Sequence, residues 1–507
     1  MPGLSARPYT IEEYTRAVCP TCVSESPLRA DAPDTFKDAM LVSRDGKIWL
    51  KRFCSRHGEV ESLYEEDAGI WRNRHGWSTP TSVINADRAD NWKPFPDGYR
   101  EGLPHSHGQH TCVLVLNVTE SCNFSCPTCY AAARSPGDAD PNMPTISEIG
   151  ATVDAVSGRE GGKVSVVMLS GGEPTVRKDL ENLLLSLFEK NITRVMINTN
   201  GRRIARDDRF LNFLKKHRDK VEVYLQFDGL RPSTHLQLRG EDLTAEKKLA
   251  LERLNRAGIY CTLVMTVEQG VNEDEVGDVV QTGLQYPRCA GVAIQPVFGS
   301  GRSRGVDGSH RVTPTGVLSR LAEQTNELIG ADDFVPLPCS HRDCCDITYL
   351  LRTRQGWKSL PKLIGRDELK KWIHVVSNTI SFESASDAVK QLVGAGIIQR
   401  VLSEQQKVHA VQLAADIFSM CQCAPGLSEM LRFGSLESLA ERTFRVTVKM
   451  FMDAHTFHEH RIRQCCVHVG SFEEDPRRTS FCWRWLFADS TDFPSRPGLQ
   501  RLPVVTA

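Results

Sequence analysis

Cys122, Cys126 and Cys129 fall within the stretch SCNFSCPTCYAAAR (121–134). Three thiolates on one short loop are soft ligands, suited to zinc, copper(I) or an iron–sulfur cluster. A structural zinc site closes with four ligands, and no fourth cysteine lies nearby in the chain. A four-iron cubane held by three sulfurs instead leaves one iron open to an outside ligand. That open iron would be the seat of chemistry.

The remaining cysteines fall into two further groups. Cys19 and Cys22 form CPTC, and Cys54 and His57 follow in CSRHG. C-x2-C followed by C-x2-H predicts one tetrahedral metal, mononuclear zinc or iron, bound by two knuckles. The intervening AMLVSRDGKIWLKRF predicts a hairpin with an Asp-Gly turn. So small a module lacks a sufficient core, and the metal would supply stability. Beyond residue 335 lie Cys339, Cys344, Cys345, Cys421, Cys423, Cys465, Cys466 and Cys482. Eight thiols suffice for one or two auxiliary clusters. Cys339, Cys344, Cys466 and Cys482 are the first choice for one of them, with Cys345 a further candidate ligand. Cys112 and Cys261 fall in predicted strands and are expected as free core thiols; Cys289 has no assigned role. The histidine-rich HSHGQH (105–110) and HTFHEH (455–460) invite a metal reading. The first precedes a core strand and is expected as a connector. The second adjoins the C-terminal cysteines, where it would face substrate.

Regular elements must position these groups. Between about 111 and 298, short β-rich runs recur: TCVLVLNV, KVSVVMLS, RVMINTN, VEVYLQFDG, YCTLVMTV and AGVAIQPV. Helical patterns separate most of them. Thr145 and Glu148 have capping-box spacing, and Gly258 sits where the helix 245–258 should end. Alternating strands and helices imply parallel βαβ units, in a doubly wound sheet or an incomplete barrel. Either architecture gathers ligands at the C-terminal ends of its strands. NVTESC, SGGEPT, NTNG and QFDG all stand at such ends, which points to a single site on one face.

With its C-x3-C-x2-C spacing and Tyr130 directly after the third cysteine, CNFSCPTCY resembles the radical S-adenosylmethionine (SAM) superfamily. The resemblance implies a partial (β/α)6 barrel with a [4Fe-4S] cluster on Cys122, Cys126 and Cys129. In that superfamily the open iron is chelated by the amino and carboxylate groups of SAM. Reductive cleavage then yields methionine and a 5′-deoxyadenosyl radical, which abstracts hydrogen from an unactivated carbon. SGGEPT looks like the family's GGEP motif, placing Gly171, Gly172, Glu173 and Pro174 against the cofactor's amino group. By the same resemblance Asn200 and Asp228 would bind ribose or the methionine moiety, and the segment containing Gln295 would meet the adenine. Three parts follow: 1–105, an N-terminal Cys/His metal-binding module and connector; 106–335, the radical SAM core; 336–507, a cysteine-rich auxiliary-cluster domain.

A narrower likeness extends over most of the chain. VYLQFDGL, LRGEDL, EKKLALERLNRAGIYCTLVMTV and IQPVFGSGR look like the tetraether lipid synthase branch, earlier described as methyltransferases of a reduced pterin. The implied reaction joins lipid alkyl termini by C–C bond formation; radical methylation or rearrangement of a small heterocycle is the alternative. An electron-carrying iron–sulfur protein without catalysis is the remote third reading. The implied partners are a lipid or other small-molecule substrate, an electron donor of flavodoxin or ferredoxin type, and transient contact with a membrane surface. The segment 346–445 diverges, and MFMDAHTFHEH replaces a stretch richer in tyrosine and asparagine in the archaeal relatives. A net charge of −1 gives no footprint for nucleic acid. No apolar run reaches the roughly 18 residues of a spanning helix, and the N-terminus lacks a signal-peptide core. A cytoplasmic location is expected. In that reducing setting, seventeen cysteines point to metal rather than to disulfides.

Overall fold

A computed structural model of the 507-residue chain describes residues 8–25, 35–77, 84–138, 140–303, 305–353, 356–366 and 443–487. Cys421 and Cys423 lie outside the described residues.

The first four strands, β1 (Thr10–Val18), β2 (Phe36–Arg44), β3 (Lys47–Cys54) and β4 (Gly58–Glu65), form an antiparallel meander. The expected Asp-Gly turn joins β2 to β3: Asp45 and Gly46 both take positive φ, 51° and 73°. Those values match the strand twist of a two-residue hairpin. The meander has its own small core of Ala17, Ala39, Leu41, Ile48, Leu50, Tyr64, Ala68 and Trp71. A buried ion cluster ties it to the rest of the protein. Arg74 donates to Glu65 at 2.6 Å and to both oxygens of Asp346 at 3.0 and 2.6 Å.

The central sheet contains β5 (Val113–Thr119), β6 (Val164–Gly171), β7 (Ile192–Thr199), β8 (Val221–Gln226), β9 (Cys261–Val267) and β10 (Cys289–Pro296). These are the six β-rich runs of the sequence, within about two residues at their starts. Beyond them come β11 (Val335–Pro336), β12 (Cys345–Thr353), β13 (Gly356–Ser359), β14 (Thr443–Lys449), β15 (Val467–Gly470) and β16 (Arg478–Ser480). Among the described residues the sheet has twelve strands, in the order β11-β12-β14-β10-β9-β8-β7-β6-β5-β15-β16, with β13 on β12. Its middle is parallel throughout, from β14 beside β10 to β15 beside β5. The fold is a partial β/α barrel with an N-terminal metal-binding ribbon. Strands from the cysteine-rich C-terminal region extend both edges of the parallel core.

Side-chain alternation explains the layering. Leu114, Leu116 and Val118 of β5 face the helical layer with Val167, Leu169, Ile197, Leu225 and Leu263. Val113, Val115, Val166, Met196, Tyr224, Val264 and Ala293 face the other way. There they meet the connector (Phe95, Tyr99, Leu103) and the C-terminal region (Phe457, Phe481, Trp483). The helix Ile146–Arg159 carries the expected capping box, with Thr145 and Glu148 bonded reciprocally. The helix Thr244–Ala257 ends at Gly258 with φ 73°. Among the described residues no helix is long and apolar enough to cross a membrane.

Candidate active site and metal centres

The cysteine loop leaves the end of β5 and returns through a bridge between Ser121 and Arg134. Arg134 closes it, its amide donating to Glu120 O at 2.9 Å and its Nε to the Glu120 carboxylate at 3.0 Å. From the far side Arg302 donates to the carbonyls of Cys126 (2.7 Å), Ala133 (2.8 Å) and Cys129 (2.9 Å). A Cβ on Gly301 would stand 2.4 Å from the carbonyl oxygens of Cys129 and Tyr130, so only glycine permits this approach. Amides of Phe124 and Ala133 point at Cys122 Sγ (3.4 Å) and Cys129 Sγ (3.5 Å). Such donors tune a metal-bound thiolate.

All three cysteines line one open cavity at the C-terminal ends of the strands. Tyr130, Gly171, Gly172, Glu173, Asn200 and Gln295 line it as well. The two glycines lie where β6 is stitched to the start of the cysteine loop. Gly172 N donates to Thr119 O at 2.7 Å and Glu173 N to Ser121 O at 2.9 Å. A Cβ on Gly171 or Gly172 would come within 2.1 Å of Thr119 O or Ser121 O. Glu173 is almost entirely occupied within the protein. It accepts from Thr175 N (3.1 Å), Thr175 Oγ1 (2.6 Å), Thr199 Oγ1 (2.6 Å) and Asn200 N (2.7 Å). Its carboxylate staples the ends of β6 and β7, and Oε2 keeps one lone pair for the cavity. Pro174 opens the 3₁₀ turn behind Glu173 and does not line the cavity.

Asp228 is a correction. Expected as a cofactor contact, it is fully buried and absent from the cavity wall. Its oxygens accept from Arg239 Nε and Nη2 at 2.7 and 2.6 Å and from Thr266 N at 3.1 Å. Burial pushes its carboxyl up, but the guanidinium outweighs burial and holds it below the ordinary value. The residue that reaches the cavity is Arg239. Lys247 joins it, fully buried, donating to Asn200 O at 2.6 Å; burial brings its pKa down to about 8. Neither cation is assigned by sequence reasoning, because a lone charge on an amphipathic helix reads as a solvated face. A polar chain crosses the remaining strand ends: Asn198 donates to Ser170 Oγ (3.2 Å), Gln226 to Asn198 (3.1 Å) and Arg239 to Gln226 (3.3 Å).

These residues fit a cluster with SAM. Burial pushes the Cys122 thiol up to about 12 and raises Cys126 although Arg239 opposes it. Thiolates held so unfavourably are stabilised by a bound metal. Beside them stand two cations for a carboxylate, a carboxylate lone pair and carbonyls for an ammonium, and amides for hydroxyls. Tyr130 and Phe298 also line the cavity, and Tyr130 starts an aromatic wall, packing on Phe298 (5.7 Å between centroids), Phe481 (5.8 Å) and Trp485 (5.1 Å). Phe451 continues this wall, 4.5 Å from Phe481.

In the ribbon, the ligand atoms of Cys19, Cys22, Cys54 and His57 all lie within 4.8 Å of one another. His57 Nδ1 faces the three sulfurs at 3.4–3.6 Å, and its Nε2 meets Glu25 at 3.1 Å. That second contact leaves Nδ1 for a metal. Burial would raise Cys54, yet the amides of Arg56 and His57 bring it down to about 6.

The C-terminal cysteines divide differently from expectation. Cys339 and Cys466 are joined by Cys112, with all three sulfurs within 4.8 Å and Cys339 to Cys466 at 3.6 Å. Cys112 is buried as expected, and its sulfur is gathered with those of Cys339 and Cys466 rather than isolated in the core. Cys344 and Cys482 are not in it. Burial raises Cys465 and Cys482 to about 12, helped by the charges of Cys466 and Cys344 on the first and of Cys465 and Cys344 on the second. Arg461 donates to Cys344 Sγ at 3.4 Å. Cys465 directly precedes Cys466 but is not part of the trio; its thiol donates to Val467 O at 3.1 Å. Cys345 is buried at the start of β12 and lies within electrostatic reach of both groups.

The pattern of the radical SAM superfamily matches residues 116–282, the stretch that carries the cysteine loop and most of the cavity. The HMPTM N-terminal zinc ribbon domain matches residues 11–66, which are β1 to β4. The 7,8-dihydro-6-hydroxymethylpterin dimethyltransferase of Methanocaldococcus jannaschii is 26 % identical over 502 residues, 93 % of each chain. The sporulation killing factor maturation protein SkfB of Bacillus subtilis is 31 % identical over 48 % of this chain and 59 % of its own. Among solved structures, Streptococcus suis SuiB bound to its precursor peptide covers 44 % of this chain and 47 % of its own, at 19 % identity and a TM-score of 0.37; so slight a likeness carries no argument. With the cluster loop, the glycine-bounded cavity and the matched pattern on the same residues, residues 116–282 form a radical SAM domain.

Proposed function

We propose that the protein is a radical SAM enzyme that forms a carbon–carbon bond at an unactivated carbon, and that its substrates are lipid alkyl chain ends. The observation that carries this is the run of aromatic rings that begins in the cavity with Tyr130 and Phe298 and continues through Phe451, Phe481 and Trp485 into the apolar core that also holds Cys112, Cys339, Cys466 and Cys482. Such a wall offers an alkyl chain contact area and no charge.

A cluster on Cys122, Cys126 and Cys129 with bound SAM supplies one-electron cleavage of the sulfonium and a radical able to abstract hydrogen. The protein's own residues do the rest. Arg239 and Lys247 bind the cofactor's carboxylate. Glu173 Oε2 and the carbonyls of the cysteine loop accept from its ammonium. Asn198, Gln226 and Gln295 offer amides to ribose and adenine. The aromatic wall excludes water from the reacting carbon. One or two auxiliary clusters would sit on the trio of Cys112, Cys339 and Cys466 and on the neighbouring Cys344, Cys465 and Cys482. The ribbon would hold zinc or iron, and a flavodoxin- or ferredoxin-type donor would deliver electrons in the cytoplasm.

A second reading is favoured by the full-length likeness to the M. jannaschii pterin dimethyltransferase: radical methylation of a reduced pterin. Both readings form a C–C bond and differ in the carbon attacked. The test is anaerobic reconstitution with dithionite and SAM, supplied in parallel with a lipid extract and with 7,8-dihydro-6-hydroxymethylpterin, followed by mass spectrometry. Tail-to-tail lipid products support the first reading. Addition of methyl groups to the pterin alone replaces it with the second. Absence of 5′-deoxyadenosine in both arms sinks them together.

A further inference from the structure

Away from the cavity, Glu13 of β1 meets His458 and His460 at the start of the helix Glu459–Arg463. Glu13 Oε1 lies 3.4 Å from His458 Nε2 and 3.5 Å from His460 Nδ1, and the three ligand atoms are all within 4.8 Å of one another. His458 is completely buried, yet neither of its ring nitrogens has a hydrogen-bond partner. The approach to Glu13 lacks the alignment of a hydrogen bond. An unsatisfied buried polar group is costly and calls for an explanation such as an ion. The histidine is not free to turn away, since His341 and Tyr64 pack against its ring at 5.3 and 6.2 Å.

We propose that Glu13, His458 and His460 form a binding site for one divalent transition-metal ion of the zinc class, clamping the N-terminal ribbon to the barrel. The spacing fits. Ligands about 2.1 Å from a tetrahedral zinc stand about 3.4 Å apart, close to the separations found here. Two imidazoles and one carboxylate are borderline donors that select zinc, cobalt(II) or iron(II) over magnesium or calcium. Arg342 donates to Glu13 Oε2. It orients the carboxylate so that Oε1 faces the two imidazoles, as an outer partner of a metal ligand commonly does. Half of the His460 side chain is exposed, which gives the ion an entry path and a position open to water. The site is separate from the four-ligand ribbon centre and does not depend on the substrate reading above.

The test uses the full-length protein, reconstituted anaerobically with iron and sulfide and then titrated with cobalt(II). The expected result is one equivalent of cobalt with a visible ligand-field spectrum free of thiolate charge transfer, displaced by zinc. His460→Gln touches a half-exposed position, and Glu13→Gln preserves side-chain shape, so both variants keep the fold. Each should lose that equivalent or weaken it at least tenfold while the iron–sulfur absorbance stays unchanged. A wild-type titration with no nitrogen- and oxygen-ligated cobalt overturns the site. So does a cobalt signal that survives both substitutions at unchanged affinity, because the ion would then lie elsewhere.

Discussion

The ribbon and the cysteine loop both gather thiols, yet they are built to opposite ends. The ribbon draws four ligand atoms within 4.8 Å of one another, with Cys19 and Cys54 buried and His57 fixed from behind by Glu25. A centre closed in this way stabilises a small fold and has no position for a reactant. The loop presents three sulfurs to a cavity, and the rest of that cavity is cations, amides and aromatic rings. The four-ligand set serves structure, while the three-ligand set leaves room for chemistry.

The sharpest way to break this contrast is to remove one sulfur from each centre. Cys126→Ser should lower 5′-deoxyadenosine formation by at least about a thousandfold, equivalent to about 4 kcal/mol of barrier, with the thermal midpoint nearly unchanged. Cys22→Ser should do the reverse. It should lose the ribbon metal and expose residues 10–66 to proteolysis, while SAM cleavage remains measurable. Chromatography of the cleavage product beside limited proteolysis reads both effects. Equal loss of cleavage in both variants would erase the distinction.

The sequence reveals the thiol groups of this protein unequally well, for the same reason that it reveals strands. The Cys-x2-Cys and Cys-x2-His knuckles, the three-cysteine loop and the SGGEPT turn are each contiguous, so spacing alone declares them. The capping box at Thr145 and the Asp45–Gly46 turn are local in the same sense. The trio of Cys112, Cys339 and Cys466 is assembled across more than 350 residues of chain, and nothing in its spacing marks it. The adjacent pair 465/466 misleads further, since Cys466 belongs to the trio and Cys465 does not. The addition of β14 and β15 to the edges of the barrel sheet is likewise a long-range pairing with no local mark. Asp228 at a strand end looks the same in sequence whether it lines the cavity or, as here, holds the arginine that does.

That supporting role gives the next prediction. Asp228→Asn leaves Arg239 buried beside an uncharged partner. Breaking such a pair costs about 3–5 kcal/mol, so the denaturant midpoint should fall sharply and SAM affinity should fall with it. The exposed pair of Arg256 and Glu252 offers the contrast, since Glu252→Gln should cost no more than about 0.5 kcal/mol. If the two substitutions prove equally mild, the cavity cations are not held from behind and Asp228 has no positioning role.

Lys247 gives the smallest effect and the finest discrimination. Burial lowers its pKa from 10.5 to about 8, with Asp228 opposing the shift. Below pH 8 the ammonium is charged and available to a carboxylate in the cavity. Above it the charge is lost, and the apparent Kd for SAM should rise by about tenfold by pH 9.5. Folding responds with the opposite sign. Between pH 8 and 10.5 the unfolded chain binds this proton and the native chain does not, so the native state gains up to about 3 kcal/mol as pH rises through that window. Lys247→Met should remove both trends, leaving SAM binding weak and flat with pH. SAM affinity by equilibrium dialysis and stability by urea titration, run over the same buffers, would separate the two. Parallel loss of affinity and stability with rising pH would mean that another group titrates, and that Lys247 does not carry the carboxylate.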